Sequence, residues 1–164
     1  MRERWTCFGS KVTGGLHSRT SNRVLACLVH YREKVVGSRR RLVDEAATAR
    51  EGIEKFFTEI MNPKIQKNFF RGCLNTNTAT EVTILDKRIQ GFVREGLCLW
   101  KNYWKRVVKR GFKDGSIPSH RSVDEIASLL IILTQGTNIV MKATQDRKLA
   151  QQAVKLGLQS IFKN

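Results

Sequence analysis

Proline is scarce in this chain, with 2 among 164 residues. Proline removes a backbone donor and breaks helices, so its scarcity leaves long helices open, and the apolar periodicities point to an all-α fold. Long apolar runs are also missing. Runs such as Leu129–Leu133 fall far short of the ~18–20 residues a membrane span requires, and no membrane partner is expected. The 4 Cys, at positions 7, 27, 73 and 98, include no C-x-x-C pair, and their spacing builds neither a zinc cluster nor a disulfide framework. A reducing, cytoplasmic setting follows as the expectation. The start, Met1–Lys11, is charged and has no apolar run, unlike a signal peptide. Acidic residues number 14 against 30 Lys and Arg and form no tight carboxylate pair. The 3 His, at 17, 30 and 120, fit no metal or nucleophile motif, and no phosphate-binding glycine loop occurs. These gaps argue against an enzyme, and neither a metal nor a cofactor is expected.

What is present is a strongly basic chain, net charge +16 with pI near 10.3. That balance favours a polyanion partner, or else is a solvated basic surface. Against it, Gly72–Thr80 carries no charged side chain. Its residues are small, neutral and able to hydrogen-bond. The stretch is either a packed internal helix with satisfied polar groups or one wall of a ligand pocket.

Helical spacing organises the rest. Residues 1–23 show little order. Val24, Leu28, Tyr31 and Val35 fall on one face, with Ser21 as a candidate cap and Gly37-Ser38 as a candidate interruption. Arg39–Arg41 then offers a phosphate contact or a solvated triplet. Ile53, Phe56, Phe57, Ile60 and Met61 line a helix that Asn62-Pro63 ends. The longest element is expected from about Ile84 to Phe112. Its Trp100, Tyr103 and Trp104 form an aromatic group for core packing or ligand stacking, and Lys101–Arg110 crowds its last turns. Cations there suit the helix dipole without any nucleic acid. A turn at Lys113–Pro118 precedes a capping box, Ser122 to Glu125, which opens a helix to about Ala143. The last helix, Asp146–Phe162, has two apolar lines: Leu149, Ala153, Leu156, and Val154, Leu158, Ile161. Two consecutive helices that are apolar on both sides point to a homodimer with a four-helix interface; the competing reading is a larger monomeric core. The interface residues expected are Ile132, Gln135, Ile139, Ala153, Gly157 and Ile161.

Arg71-Gly72-Cys73-Leu74, followed by Asn77-Thr78-Ala79-Thr80-Glu81, closely resembles the sixth helix of TetR/AcrR-type transcriptional regulators. Leu25–Lys34 resembles the fourth helix, which joins the DNA-binding part to the regulatory part. Thr48–Met61 resembles the fifth and Ile84–Phe112 the seventh. Val123–Ala143 and Asp146–Phe162 resemble the eighth and ninth. The resemblance spans residues 24–162 and implies a ligand-responsive, homodimeric, all-helical repressor. Residues 24–162 would be its ligand-binding and dimerisation domain. The effector would lie among the fifth to eighth helices, with Phe56, Phe57, Ile60, Cys73, Asn77, Trp100 and Trp104 as its walls. Asn77 would orient it, and it would be apolar or aromatic.

The N-terminus departs from this pattern. Residues 1–23 are too few for the family's three-helix DNA head. Phe8-Gly9-Ser10-Lys11 and Val12–His17 each echo part of that head, but in incompatible registers. The expectation is a remnant or disrupted DNA-binding region over residues 1–23, from a gene model truncated or out of frame upstream of about Val24. Lys11, Arg19 and Arg23 are its weak DNA-contact candidates. A recognition helix needs its bracing helix, so operator binding belongs to full-length relatives rather than to this chain. The rival reading is a basic helical adaptor that binds nucleic acid or another polyanion without sequence preference, through Arg39–Arg41 and Lys101–Arg110.

Overall fold

The computed structural model describes residues 19–62, 72–81 and 86–163. Seven α-helices lie among the described residues: α1 (Arg19–Tyr31), α2 (Gly37–Asp44), α3 (Ala49–Ile60), α4 (Leu74–Glu81), α5 (Lys87–Lys113), α6 (Val123–Thr144) and α7 (Arg147–Phe162). A π-helical turn, Arg32–Val36, joins α1 to α2. The fold is all-α, as the periodicities indicate.

Gly37 does not interrupt the chain. Its φ of −61° is helical, so α1, the π turn and α2 form one continuous rod. Ser21 lies inside α1 instead of capping it. Its side chain hydrogen-bonds to Asp86, the N-cap of α5, whose carboxylate also accepts the Arg88 N–H at 2.8 Å. These bonds, Ser21's first, depress the Asp86 pKa from 3.8 to about 2. A depressed folded-state pKa contributes stability above the unfolded value, and that contribution is lost as pH falls through the folded one. Asp86→Asn is therefore expected to destabilise the protein above about pH 4 and to match it below about pH 2. Urea unfolding across that range is the check. Equal stability of the two proteins near neutral pH would contradict it.

The remaining caps are local as well. Thr48 accepts the Glu51 N–H at 3.2 Å, and Asp146 accepts that of Leu149 at 3.0 Å. Ser122 and Glu125 form the full capping box. The turn after α5 is tied to α3, because Asp114 accepts the Ala49 N–H at 2.9 Å and Ser116 accepts that of Arg50 at 3.2 Å.

The core lies between α3, α5, α6 and α7. Phe56, Phe57, Ile60, Trp104, Val108, Ile126, Leu130, Val154 and Ile161 are buried in it. α2 approaches α3 closely at Gly52, where an added Cβ would stand 2.7 Å from the Val43 carbonyl oxygen. A second, smaller cluster joins Leu28 of α1 to Ile89 and Val93 of α5. α6 is 22 residues long and holds an 18-residue window of mean hydropathy 1.4, enough by length and composition alone for a membrane span. It also buries Thr134 and Thr137 and packs against α5 and α7, as a core helix does.

The charge-free stretch is α4, with Thr76 and Thr78 buried. Gly72 just before it has φ +69°, the left-handed region that glycine adopts most readily. Cys27 is free and exposed, and Cys73 is free and buried. The readings that rest on Met1–Ser18, on residues 63–71 and on Ile84 lie outside the described residues.

Candidate functional site

A cavity of about 60 Å³ opens between the rod and the bundle. The rod contributes Arg32, Val36, Arg39 and Arg40. Their spacing of four, seven and eight puts them on one helical face. α3 contributes Phe56, and the start of the charge-free stretch contributes Cys73 and Asn75. α5 adds Gly96, Leu97, Leu99 and Trp100; α6 adds Thr134, Gln135 and Asn138. Gly96 makes the room, since a Cβ there would stand 3.1 Å from the Arg32 Nη2 and 3.6 Å from the Asn75 Nδ2.

The arginines are held differently. Arg32 donates to the Phe92 carbonyl at 3.0 Å, lies 3.8 Å over the Phe92 ring and pairs with Glu95 at 3.8 Å. The Arg40 guanidinium sits over the rings of Trp100 and Tyr103, at 5.1 and 5.0 Å. Burial lowers its pKa. The Tyr103 hydroxyl shares its one proton between the Arg40 carbonyl at 3.1 Å and Asp44 at 3.2 Å. Burial, then Asp44, raises the Tyr103 pKa. Burial first, and Cys73 beside it, does the same to Tyr31 at the end of α1. Tyr31 also hydrogen-bonds to the Cys73 side chain and the Leu74 backbone, which links α1 to the start of α4.

Of the seven wall residues expected from the sequence, Phe56, Cys73 and Trp100 line the cavity. Phe57, Ile60 and Trp104 are instead packed inside the core. Asn77 is half-buried, its Oδ1 near Gly72, and is not part of the lining. Gln135, expected at a dimer interface, lines the cavity and accepts from the Thr76 hydroxyl at 2.5 Å. The rod arginines, Asn75 and Asn138 were not anticipated as lining. The 32, 36, 39, 40 spacing and the polar trio Thr134, Gln135, Asn138 in an otherwise apolar helix were the available signals.

The remaining expected interface residues divide in two. Ile132 is 67% exposed, Ile139 and Ala153 are exposed, and Gly157 packs against Leu133. Ile161 is 0% exposed. It shares the inward face of α7 with Ala150 and Val154, so it belongs to the protomer's own core. Arg19 and Arg23 are exposed at the start of α1; Lys11 lies outside the described residues. Among the described residues, no group of three or more His, Cys, Asp or Glu could hold a metal ion.

The basic cluster of α5 is largely engaged. Lys101 pairs with Asp124 at 3.1 Å and Lys105 pairs with the same carboxylate. Arg110 donates to the carbonyls of Val43, Asp44 and Thr48, and Arg106 lies over Tyr103 at 5.2 Å.

A comparison with curated protein sequences finds no match. Among solved structures, a TetR family transcriptional regulator from Agrobacterium tumefaciens superposes with a TM-score of 0.76 at 16% identity, over 87% of this chain and 74% of that one. One from Cytophaga hutchinsonii gives 0.75 at 19%, over 85% and 72%. The regulator CifR, as a cysteine mutant complexed with double-strand operator DNA, gives 0.73 at 22%, over 83% and 71%. These likenesses establish the fold. The family model for the tetracyclin repressor-like C-terminal domain matches residues 37–156, which cover α2 to α7 almost entirely. The chain belongs to the TetR family of transcriptional regulators, through its C-terminal domain.

Proposed function

We propose that residues 24–162 form the effector-sensing and dimerisation region of a cytoplasmic transcriptional regulator. The observation that carries this reading is the position of the cavity. One wall belongs to the rod that leads back toward the N-terminus, and the others belong to the bundle. An occupant touches both, and its binding energy can differ between two placements of the rod. The rod is tied to α5 by Arg32 and Phe92, by Arg88 donating to Asn22 at 3.0 Å, and by Ser21 with Asp86. Relatives of this fold include a regulator complexed with operator DNA. Operator contact is proposed for full-length members of the family, with Arg19 and Arg23 of this chain as peripheral phosphate contacts at most. The family is one of regulators and not of enzymes, in accord with the missing catalytic sets.

A cognate effector at a hundred times its Kd is expected to stabilise the protein by about 2.7 kcal/mol, a rise in melting temperature of roughly 5–10 °C. Trp100→Ala should lower that affinity at least tenfold while the protein stays dimeric. A screen that yields no saturable shift would contradict the reading, as would shifts indifferent to Trp100. The rival polyanion adaptor predicts sequence-blind DNA binding with a steep salt slope. It is weakened by the internal engagement of Lys101, Lys105 and Arg110.

A further inference from the structure

We propose that the cavity takes a small organic acid, with its carboxylate on Arg40 and Arg39 and a compact apolar body against Phe56, Leu97 and Trp100. This rests on the effector reading above and names the chemistry of the ligand. The charged side chains that line the cavity are Arg32, Arg39 and Arg40, and no Asp or Glu lines it among the described residues. Arg32 is already engaged by Glu95 and the Phe92 carbonyl. Arg40 is not. Among the described residues its guanidinium has no hydrogen bond or ion pair, its Nε is buried without a partner, and its contacts are the faces of Trp100 and Tyr103. Asp44 acts on it through space only and takes its hydrogen bond from the Tyr103 hydroxyl.

A half-buried guanidinium whose Nε is buried without a partner is a good receptor for a planar anion, which it can bind in a fork. Its place on two aromatic faces preorganises it. The Asn75 Oδ1 is buried and unpartnered as well, and it accepts a hydroxyl on the ligand body. Size narrows the class further. A cavity of about 60 Å³ holds a few water-sized groups and is smaller than a typical drug pocket. A short chain, or a single ring that extends out through the open side of the cavity, fits better than a long acyl group.

The test is isothermal titration of the full chain at neutral pH and constant ionic strength. The probes are benzoate, its uncharged isostere benzamide, and inorganic phosphate. Benzoate should bind once per protomer, at least tenfold tighter than benzamide, with no saturable phosphate binding in the same range. Arg40→Gln should weaken benzoate 10- to 100-fold and leave benzamide unchanged. Arg39→Gln gives an independent reading should the first variant fold poorly. Benzamide binding as tightly as benzoate, or benzoate binding indifferent to both substitutions, would overturn the acid assignment and leave the effector cavity standing. Phosphate binding as tightly as benzoate would also overturn it, in favour of a general anion site. Absence of saturable binding by every probe would overturn both the acid and the cavity.

Discussion

Trp104→Ala is expected to destabilise the protein by about 3–5 kcal/mol, the range for deleting a large aromatic from a core. Trp104 is fully buried. Its ring centroid stands 5.0 Å from that of Phe56 in an edge-to-face arrangement, and 5.5 Å from both Trp100 and Tyr103. Truncation removes the side chain at which α3 and α5 meet, and the neighbours cannot close the gap without leaving their rotamers. Set against a typical stability of about 5–15 kcal/mol, the loss is large, equivalent to a fall in melting temperature of roughly 6–20 °C. Trp104→Phe should be far milder. The indole N–H is buried without a partner, and its removal offsets part of the lost packing. Denaturant titration at one fixed protomer concentration distinguishes the two variants. If Trp104→Ala leaves stability intact but weakens effector binding, Trp104 belongs to the cavity and not to the core.

Leu156→Asp is expected to separate the dimer. Leu156 is 67% exposed in the protomer and lies beside Ala153 and Leu149 on the outer line of α7, facing out as Ile132 and Ile139 do on α6. The inward faces of both helices, from Ile126 to Met141 and from Ala150 to Ile161, are already buried in the protomer's own core. A second copy of the same pair is therefore the natural cover for the outer stripe. In a two-fold interface each substitution occurs twice. Losing two leucines at about 1.5–3 kcal/mol each, with an aspartate at each site to desolvate, weakens association by roughly 10²- to 10⁴-fold. Sedimentation velocity at micromolar concentration should show monomer with helical content retained. A variant that sediments like the parent protein would move the interface elsewhere.

The sequence was most informative where signals were local. Ser122 and Glu125 capped α6 as a Ser-x-x-Glu pattern should, and the charge-free Gly72–Thr80 holds both buried Thr76 and Thr78 and the cavity-lining Cys73 and Asn75. It was less informative where the answer depends on which helix lies opposite. Trp100 and Trp104 have equal claims as letters, yet only Trp100 borders the cavity. The two apolar lines of α7 are alike in composition, yet Ile161 turns inward and Leu156 outward. The rod arginines were hidden by the chain's own basicity, since in a protein of net charge +16 an arginine triplet reads as solvent-facing. The π turn was illegible for another reason. It inserts extra width into a helix whose flanking residues have ordinary helical spacing, and Gly37 next to it looked like a break.

α5 is one helix of 27 residues, about 40 Å long, but two cores of unequal size hold it. Ile89 and Val93 belong to the small cluster with Leu28; Trp100 to Val108 belong to the large one. Cooperativity follows buried contacts and not covalent continuity. The end of α5 near Asp86 and α1, the part of the rod packed on it, therefore form a subglobal unit that can open while the large core, which holds Val43 of α2, stays closed. The cavity lies on the seam, with Gly96 and Leu97 between Val93 and Trp100. A molecule bound there is a mortar between two folding units, and it couples their opening, whichever atoms it uses to hold on.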